Sequence, residues 1–221
     1  MLLPKQRNYE YAYEMAYKLA CEQLSKIGNI DQLCLRNGAK YQVINTKEFI
    51  LLNYFSQSYQ ITFPDINISL IDSKQEVPIR DKILILHYLT LAKGTPISNK
   101  VIAYKELPEG ANYFPSFYKR AIKPLLDYFS KEPRLLLDAA KRLGGYEADY
   151  GDVAVTINAF SRVAITLILW RGDDEFAPEG SILFDSSISD YLSTEDINVL
   201  CETISWKLVR FLKSLEVSKS S

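Results

Sequence analysis

The chain has 221 residues, a formal net charge of −1 and a hydrophobic content of 48%. This composition allows a sizeable core and excludes the strong positive field on which non-specific nucleic-acid binding depends. Three widely spaced cysteines and one histidine exclude a zinc ribbon, a cysteine-ligated iron–sulfur cluster and a His-based zinc site made by this chain alone. No segment reaches the roughly 18–20 apolar residues of a membrane helix and no signal peptide is recognised, so we expect a cytoplasmic protein with no membrane partner.

The first third of the sequence predicts helices followed by a meander of short strands. Asn8 can cap a helix that ends at Gly28, and a short second helix over residues 30–35 follows it. Apolar, β-branched and aromatic runs then predict strands over residues 41–44, 49–54, 59–63 and 66–70, with residues 56–58 joining the middle pair. The first helix carries four tyrosines, whose flat rings and polar tips suit a ligand groove, an interface or the edge of a core. They are Tyr9, Tyr11, Tyr13 and Tyr17.

The middle of the chain predicts three helices. Pro78 fits the first turn of a helix through Ala92, and its nearly continuous aliphatic residues predict burial. His87 lies in this helix and has three interpretations: an axial metal or cobalt ligand, a proton carrier, or a core histidine bonded to a backbone carbonyl. A short strand and a Pro-Gly loop precede a helix over residues 113–129, kinked at Pro124. The third helix runs from Pro133 to the pair Gly144-Gly145.

The stretch from Gly151 to Asp185 carries the clearest structural pattern. In residues 153–160 and 163–170, alternate side chains fall into two sets, one for each face of a strand, and this period of two predicts a hairpin. Its loop is expected to exceed two residues, because Ser-Arg is not a preferred two-residue turn. The second run is apolar on nearly both faces and predicts a central strand, with a third strand over 181–184 and an entering loop over 146–150.

Three consecutive acids, Asp173, Asp174 and Glu175, lie between Trp170 and Phe176. They can form a site for a cation or a basic partner, since hard cations need several oxygen ligands. They can equally be a solvated β-turn, because Gly-Asp is ordinary turn chemistry. The sequence leaves both interpretations open.

The C-terminal helix is expected to begin with a capping box formed by Ser193 and Asp196. Apolar residues then repeat at spacings of three and four. The sequence therefore predicts an α+β fold (α/β in the broad sense), mainly an antiparallel sheet of hairpins and meander packed against about five helices. We expect a single domain over residues 1–221, with a helix-plus-meander part (1–75), a helical middle (76–145) and a hairpin-and-helix part (146–221).

Several blocks in fixed order resemble an uncharacterised family of domains of unknown function from anaerobic bacteria and archaea. The blocks span residues 86–89, 94–96, 104–108, 151–154, 169–176, 183–185, 191–192 and 195–196. The resemblance implies association with corrinoid and iron–sulfur proteins of one-carbon metabolism, and hence a cofactor-linked role. The chain departs from the family at Ser161, where proline is expected, and at Glu109, where glycine is usual.

Three functions are compatible with these observations. The first is a cofactor-binding or accessory protein for a corrinoid or other haem-like tetrapyrrole, because a large flat ligand needs an aromatic cleft with a few polar anchors. The candidate binding residues are His87, Tyr88, Tyr104, Glu106, Tyr113, Arg120, Trp170, Asp173, Asp174 and Glu175. The second is a protein–protein interaction module, whose partner the resemblance implies to be a corrinoid or iron–sulfur protein.

The third function is an enzyme that uses carboxylates for acid–base chemistry, with Arg120 as an anchor. Its candidate carboxylates are Glu106, Asp152, Asp173, Asp174, Glu175 and Asp185. No nucleophile–base pair is recognisable in the sequence, so we assign no catalytic residue, and we assign no metal ligand.

Overall fold

The computed structural model describes residues 4–219, with side chains described over residues 9–214. The chain divides into two compact units, Met1–Thr95 and Pro96–Ser221. Each unit combines helices with one antiparallel sheet, so the predicted α+β class is confirmed. Among the helices of the described residues, none combines the length and the apolar character needed to cross a membrane.

The N-terminal unit contains three helices and a four-stranded sheet in the order β1-β2-β3-β4. Its elements are α1 (Pro4–Ser25), α2 (Ile30–Asn37), β1 (Lys40–Ile44), β2 (Lys47–Tyr54), β3 (Gln57–Phe63), β4 (Asn67–Leu70) and α3 (Ile79–Leu91). The predicted meander is therefore present, and α3 packs along α1 and α2.

Two predicted boundaries of this unit are wrong. Helix α1 begins at Pro4, so Asn8 lies inside the helix and is not its cap. The hairpin between β2 and β3 turns at Phe55-Ser56, where both residues have positive φ (49° and 59°), and not at residues 56–58. A two-residue turn of this kind follows the twist of the strands, so residues 57 and 58 become part of the ladder.

The C-terminal unit contains a five-stranded antiparallel sheet in the order β5-β9-β8-β7-β6. Its strands are β5 (Val101–Ala103), β6 (Tyr146–Ala148), β7 (Val153–Phe160), β8 (Val163–Trp170) and β9 (Glu179–Asp185). Its α-helices are α4 (Gly110–Phe117), α5 (Lys123–Phe129), α6 (Leu135–Lys141) and α7 (Thr194–Lys219). Short 3₁₀ turns lie at Tyr104–Glu106 and Ser186–Asp190, and a π turn at Tyr118–Ile122 joins α4 to α5.

The predicted hairpin forms β7 and β8, and β8 occupies the centre of the sheet as expected. Its loop is only two residues long, contrary to the prediction, and a register shift lies between Asn158 and Phe160. Such a bulge increases the local twist and lets a turn without preferred residues close the hairpin. The entering segment also differs, because Tyr146–Ala148 pairs with β7 as a short edge strand rather than forming a loop. Three residues are too few to show an alternating pattern.

Helix α7 is held by an apolar face that is buried against α5, α6 and the π turn. The buried residues of this face repeat at spacings of three and four: Ile197, Leu200, Cys201, Ile204 and Leu208. Burial also raises the pKa of the Cys201 thiol, as expected for a core cysteine. Helix α7 therefore has one face in the core. Its first turns line the cavity described below.

Candidate ligand-binding site

A cavity of about 610 Å³ lies at the N-terminal end of α7, within the C-terminal unit. We call it the α7 cavity. Its lining comes from the loop before α4, from α4 with the π turn, and from the first turns of α7. The lining residues are Tyr104, Pro108, Glu109, Tyr113, Ser116, Arg120, Ser193, Thr194, Glu195 and Asn198. The volume is in the range of clefts that hold small organic ligands.

One wall of the cavity is aromatic. The ring of Tyr104 stacks on the ring of Phe117 with centroids 3.7 Å apart and planes 9° apart. Burial raises the pKa of Tyr104, so its hydroxyl stays protonated at neutral pH. Tyr113 stands at the rim and is 54% exposed. The wall therefore offers one ring fixed by packing and one that is accessible to a flat ligand.

The loop before α4 is forced into an unusual conformation beside this wall. Glu109 has φ 58° and ψ 1°, which is the left-handed region that L-residues other than glycine rarely adopt. Gly110 follows, and a Cβ at that position would lie 1.9 Å from the Tyr104 carbonyl oxygen. The Thr194 hydroxyl donates to the Pro108 carbonyl at 2.9 Å and so ties the loop to α7. These constraints hold the Glu109 carboxylate at the cavity.

The start of α7 is closed by the predicted capping box. The Asp196 backbone N–H donates to Ser193 Oγ at 3.1 Å, and the Ser193 backbone N–H donates to Asp196 Oδ2 at 3.3 Å. The Ser193 hydroxyl also donates to Asp196 Oδ2 at 2.6 Å. The Asp196 carboxylate is thus occupied by the cap, whereas the N–H groups of the first turn carry the positive end of the helix dipole.

Arg120 is placed by the π turn. The Lys123 N–H bonds to the Tyr118 carbonyl across this wider turn, and the Ser205 hydroxyl donates to the Ala121 carbonyl at 2.7 Å. The guanidinium then binds Glu202 of α7, with Nη2 at 2.6 Å and Nε at 3.2 Å from Oε2. A π turn inside an α-helix is often found at functional sites. Here it fixes a cation in the cavity wall.

Asn198 lies between the cap and the Arg120–Glu202 pair on α7. Residues four apart share a helix face, so Thr194 and Asn198 line the cavity from the same face of α7. Asn198 is only 7% exposed, and within the described part of the chain its Oδ1 accepts no hydrogen bond. A buried amide oxygen without a donor costs about 1–3 kcal/mol.

The predicted binding residues lie in five different parts of the structure. Tyr104, Tyr113 and Arg120 line the α7 cavity together. Glu106 follows the lining residue Tyr104 by two positions but does not line the cavity. Its Oε2 accepts the Ala103 N–H at 2.7 Å and closes the 3₁₀ turn. Trp170 is exposed at the end of β8 and does not line this cavity.

His87 and Tyr88 belong to α3 in the N-terminal unit. The Tyr88 hydroxyl is buried and donates to the Asn37 carbonyl at 2.5 Å. The Asn37 amide in turn donates to the Leu33 carbonyl at 2.9 Å. This arrangement joins α3 to α2, which is a structural use of the tyrosine. His87 is half-buried on the same helix.

The acidic segment forms its own turn. Asp173 Oδ1 accepts the backbone N–H of Phe176 at 2.7 Å and that of Glu175 at 2.9 Å. These bonds hold the pKa of Asp173 below its usual value. With Asp174, the segment borders an open hollow of about 390 Å³ that also includes Lys131. Across the described residues there is no group of three or more His, Cys, Asp or Glu side chains that could hold a metal ion.

Several carboxylates considered for catalysis are occupied in turns. Asp152 Oδ2 accepts the Arg171 N–H at 2.7 Å. Asp185 Oδ1 accepts the hydroxyl and N–H groups of Ser98 and Ser187. Partial burial alone would raise the pKa of Asp185, but these hydrogen bonds outweigh it and lower the pKa to about 2. A lowered pKa and four hydrogen bonds make Asp185 a cap that stays ionised, which gives no support to a role in proton transfer.

Sequence reasoning did not select seven of the ten lining residues as binding residues. Asn198, Glu109 and Glu195 are the most informative of them, because they are charged or polar and converge on one cavity. The spacing of four between Thr194 and Asn198 shows a shared helix face. It does not show what that face borders, since the Pro108 loop and the π turn come from a distant part of the chain.

Comparison with curated proteins and with solved structures gives no significant match. A model of a family described as a domain of unknown function (DUF3786) matches residues 29–206. The match extends over most of both compact units and includes every residue that lines the α7 cavity. The chain therefore belongs to the DUF3786 family of domains of unknown function.

Proposed function

We propose that the protein binds a small organic molecule in the α7 cavity and acts as a cofactor-binding or accessory protein. One observation carries the proposal: Tyr104, Tyr113, Arg120 and Asn198 converge on one cavity of about 610 Å³ that has an aromatic wall. A cavity with aromatic surface and a few convergent polar groups is the usual form of a ligand site.

A corrinoid or another tetrapyrrole is the narrower form of this proposal, drawn from the family resemblance. Its support is the combination of Tyr104, Tyr113 and Arg120, which suits the flat edge and polar side arms of a macrocycle. The lining contains no His, Cys or Met that could coordinate cobalt or iron. The proposed contact therefore uses no His, Cys or Met ligand from the cavity.

The test is a titration of the purified protein with hydroxocobalamin and with haemin, followed by equilibrium dialysis. Tyr113→Ala removes the accessible ring of the cavity wall and is expected to weaken binding about fivefold or more, because aromatic stacking contributes roughly 1–3 kcal/mol. Tyr146→Ala is the matched control, since Tyr146 is equally exposed (54%) but lies outside the cavity lining. Equal affinity of the two variants would contradict the assignment to this cavity.

Native mass spectrometry of the protein as isolated complements the titration. A small molecule that co-purifies with the wild type and with Tyr146→Ala, but not with Tyr113→Ala, would identify the ligand directly. A co-purifying molecule retained equally by all three proteins would place the binding site elsewhere.

A second candidate function is a docking module for a partner protein, and the surface of α1 favours it. Tyr13 and Tyr17 lie near the α3 cations Arg80 and Lys82. Elsewhere on the helix Tyr11, Met15 and Leu19 recur every four residues, and each is more than 40% exposed. A row of exposed apolar side chains on one helix face is typical of a binding surface. The resemblance narrows the partner to a corrinoid or iron–sulfur protein.

This second candidate is tested by charge insertion on α1. Met15→Asp places a carboxylate in the row, whereas Lys18→Asp changes an exposed residue of the same helix outside the row. Affinity capture from native extract, quantified by mass spectrometry, is expected to enrich a partner with the wild type and with Lys18→Asp only. No difference between the two variants would count against docking through α1.

A further inference from the structure

Resting on the proposed function in its broad form, we propose that the α7 cavity binds a small organic cation. The ligand carries a protonated amine at the mouth of the cavity and a hydrogen-bond acceptor, such as a carbonyl oxygen, at the inner end. Uncharged and anionic molecules of the same shape are bound less tightly.

Two carboxylates stand at the mouth of the cavity. Glu109 on the loop before α4 and Glu195 in the first turn of α7 both line it, and both are exposed. Neither forms an ion pair with any other residue that the structure describes. Lys105, four residues before Glu109, instead places its Nζ 4.1 Å from the centre of the Phe114 ring. The two negative charges are therefore available to a cationic group of a ligand.

The positive charges of the lining are already compensated. The Arg120 guanidinium binds Glu202 Oε2 through Nη2 at 2.6 Å and through Nε at 3.2 Å, so this pair is neutral as a whole. The positive end of the α7 dipole meets Glu195 and Asp196 in the first turn of the same helix. Among the described residues that line the cavity, Arg120 is the single basic one. The lining is therefore negative once this pair is formed.

The aromatic wall favours the same class of ligand. Tyr113 presents a ring at the mouth that is 54% exposed. The face of an aromatic ring attracts a cation, and it also stacks on a flat apolar body. An amine attached to a flat body can therefore use the ring and the carboxylates together.

The inner end of the cavity offers a donor. Asn198 is only 7% exposed, and its side chain forms no hydrogen bond with the described residues. Its Oδ1 is inaccessible to solvent, so the polar atom that this side chain presents to the cavity is the donor Nδ2. An amide nitrogen of this kind has two N–H groups and needs acceptors. A carbonyl oxygen on the ligand is the partner that fits it.

Four para-substituted benzenes separate the two contributions. para-(Aminomethyl)benzamide carries both the amine and the carbonyl, whereas para-(hydroxymethyl)benzamide is uncharged and para-carbamoylbenzoate is anionic. para-Methylbenzylamine keeps the amine and lacks the carbonyl. Their dissociation constants for the full chain are measured by ligand-observed NMR at pH 7.

The amine with the carbonyl is expected to be the tightest of the four probes. It should bind about fivefold or more tightly than the uncharged probe, which is the gain from one Coulomb contact in water, and the anionic probe should be the weakest. This advantage is expected to shrink in about 1 M NaCl, where the screening length is about 3 Å. A contribution from shape alone would not respond to salt.

Glutamine substitutions test the carboxylates at constant side-chain size. In Glu109→Gln and in Glu195→Gln the advantage of the amine over the uncharged probe is expected to fall, and in the double variant it should lie within about twofold. Affinity for the uncharged probe should stay within about twofold of the wild type, which shows that the cavity is intact. Glu147→Gln is the matched control, because it removes an exposed carboxylate of the same unit outside the lining.

Asn198→Leu tests the donor at the inner end. In the wild type the carbonyl is expected to improve binding about fivefold over para-methylbenzylamine, as one hydrogen bond contributes. In Asn198→Leu this gain should fall to within about twofold, because the N–H groups are removed. Unchanged affinity for para-methylbenzylamine would show that the variant is folded.

Each outcome bears on one of the two proposals. If no probe binds the wild type, the proposed ligand site fails, and this inference fails with it. If the probes bind with similar affinity whatever their charge, the ligand site stands and the preference for a cation is refuted. Refutation also follows if the double glutamine variant keeps the full advantage of the amine. A carbonyl preference that survives in Asn198→Leu would overturn the assignment of the inner end.

Discussion

Replacement of Glu109 by glycine tests whether the loop at the α7 cavity is strained. Glu109 has φ 58° and ψ 1°, a left-handed conformation that costs an L-residue with a Cβ roughly 1–2 kcal/mol. Glycine removes this cost. Its greater conformational freedom in the unfolded chain, however, lowers the free energy of unfolding by about 0.4–1 kcal/mol. The expected net effect of Glu109→Gly is a gain of about 0.5–1 kcal/mol in the free energy of unfolding. This corresponds to a rise in Tm of about 1–4 °C for a chain of this size.

The assay is urea unfolding followed by tryptophan fluorescence. The chain has two tryptophans, Trp170 and Trp206, and both lie in the same compact unit as Glu109. The fluorescence transition therefore reports the unit that contains the substitution. A change in the transition midpoint at constant slope measures the change in stability.

Glu109→Ala is the matched control, because it removes the carboxylate and keeps the Cβ. We expect its stability to lie within about 0.5 kcal/mol of the wild type, since the backbone conformation remains equally unfavourable. If Glu109→Gly is no more stable than Glu109→Ala, the reasoning from backbone strain is wrong.

Three further predictions concern the surroundings of the cavity. Gly110→Ala is expected to destabilise the C-terminal unit by about 2 kcal/mol or more, since the new Cβ would lie 1.9 Å from the Tyr104 carbonyl; fluorescence-detected urea unfolding measures it, and wild-type stability would contradict the loop geometry. Ser193→Ala is expected to lower the free energy of unfolding by about 1 kcal/mol through loss of the α7 cap, whereas Ser193→Thr keeps the hydroxyl that donates to Asp196 Oδ2 and is expected to retain most of the stability; equal losses in both variants would contradict a role for this hydroxyl. The pKa of Asp185 is lowered from 3.8 to about 2 in the folded chain, so the unfolded chain binds a proton at a higher pH than the folded chain does. The ionised Asp185 therefore contributes stability above about pH 4, and this stability is lost as the pH falls towards 2. Asp185→Asn is therefore expected to flatten the loss of stability between pH 4 and pH 2.5 and to be less stable than the wild type at pH 7, and an unaltered pH profile would refute the assignment.

Patterns that depend on neighbours in sequence predicted most of the fold. The alternation over residues 153–170 identified β7 and the central strand β8, and the spacing of apolar residues identified α7 with its cap. Errors arose where a geometry depends on partners distant in sequence. The short strand β6 exists because it pairs with β7, and a bulge at Asn158–Phe160 allows a two-residue turn.

The predicted binding residues also show that contacts between distant parts of the chain decide what local sequence patterns do not. Tyr104, Tyr113 and Arg120 were selected for their chemistry, and they meet in one cavity. Asp173 and Glu106 were selected on the same grounds, yet their carboxylates accept backbone N–H groups of nearby turns. Residue type alone does not distinguish a side chain that caps a turn from one that lines a cavity, because the same oxygen atoms serve both purposes.

By itself the sequence determined the α+β class, the antiparallel hairpins and the capped C-terminal helix, because hydrophobic period, turn residues and caps act over a few neighbouring positions. The tertiary structure alone decided that Asn198 would be buried beside Arg120 and Glu109. These three residues come from α7, the π turn and a strained loop, and no local pattern relates them. Their meeting depends on how α4, the π turn and α7 pack together, and that packing is set by the whole core of the C-terminal unit.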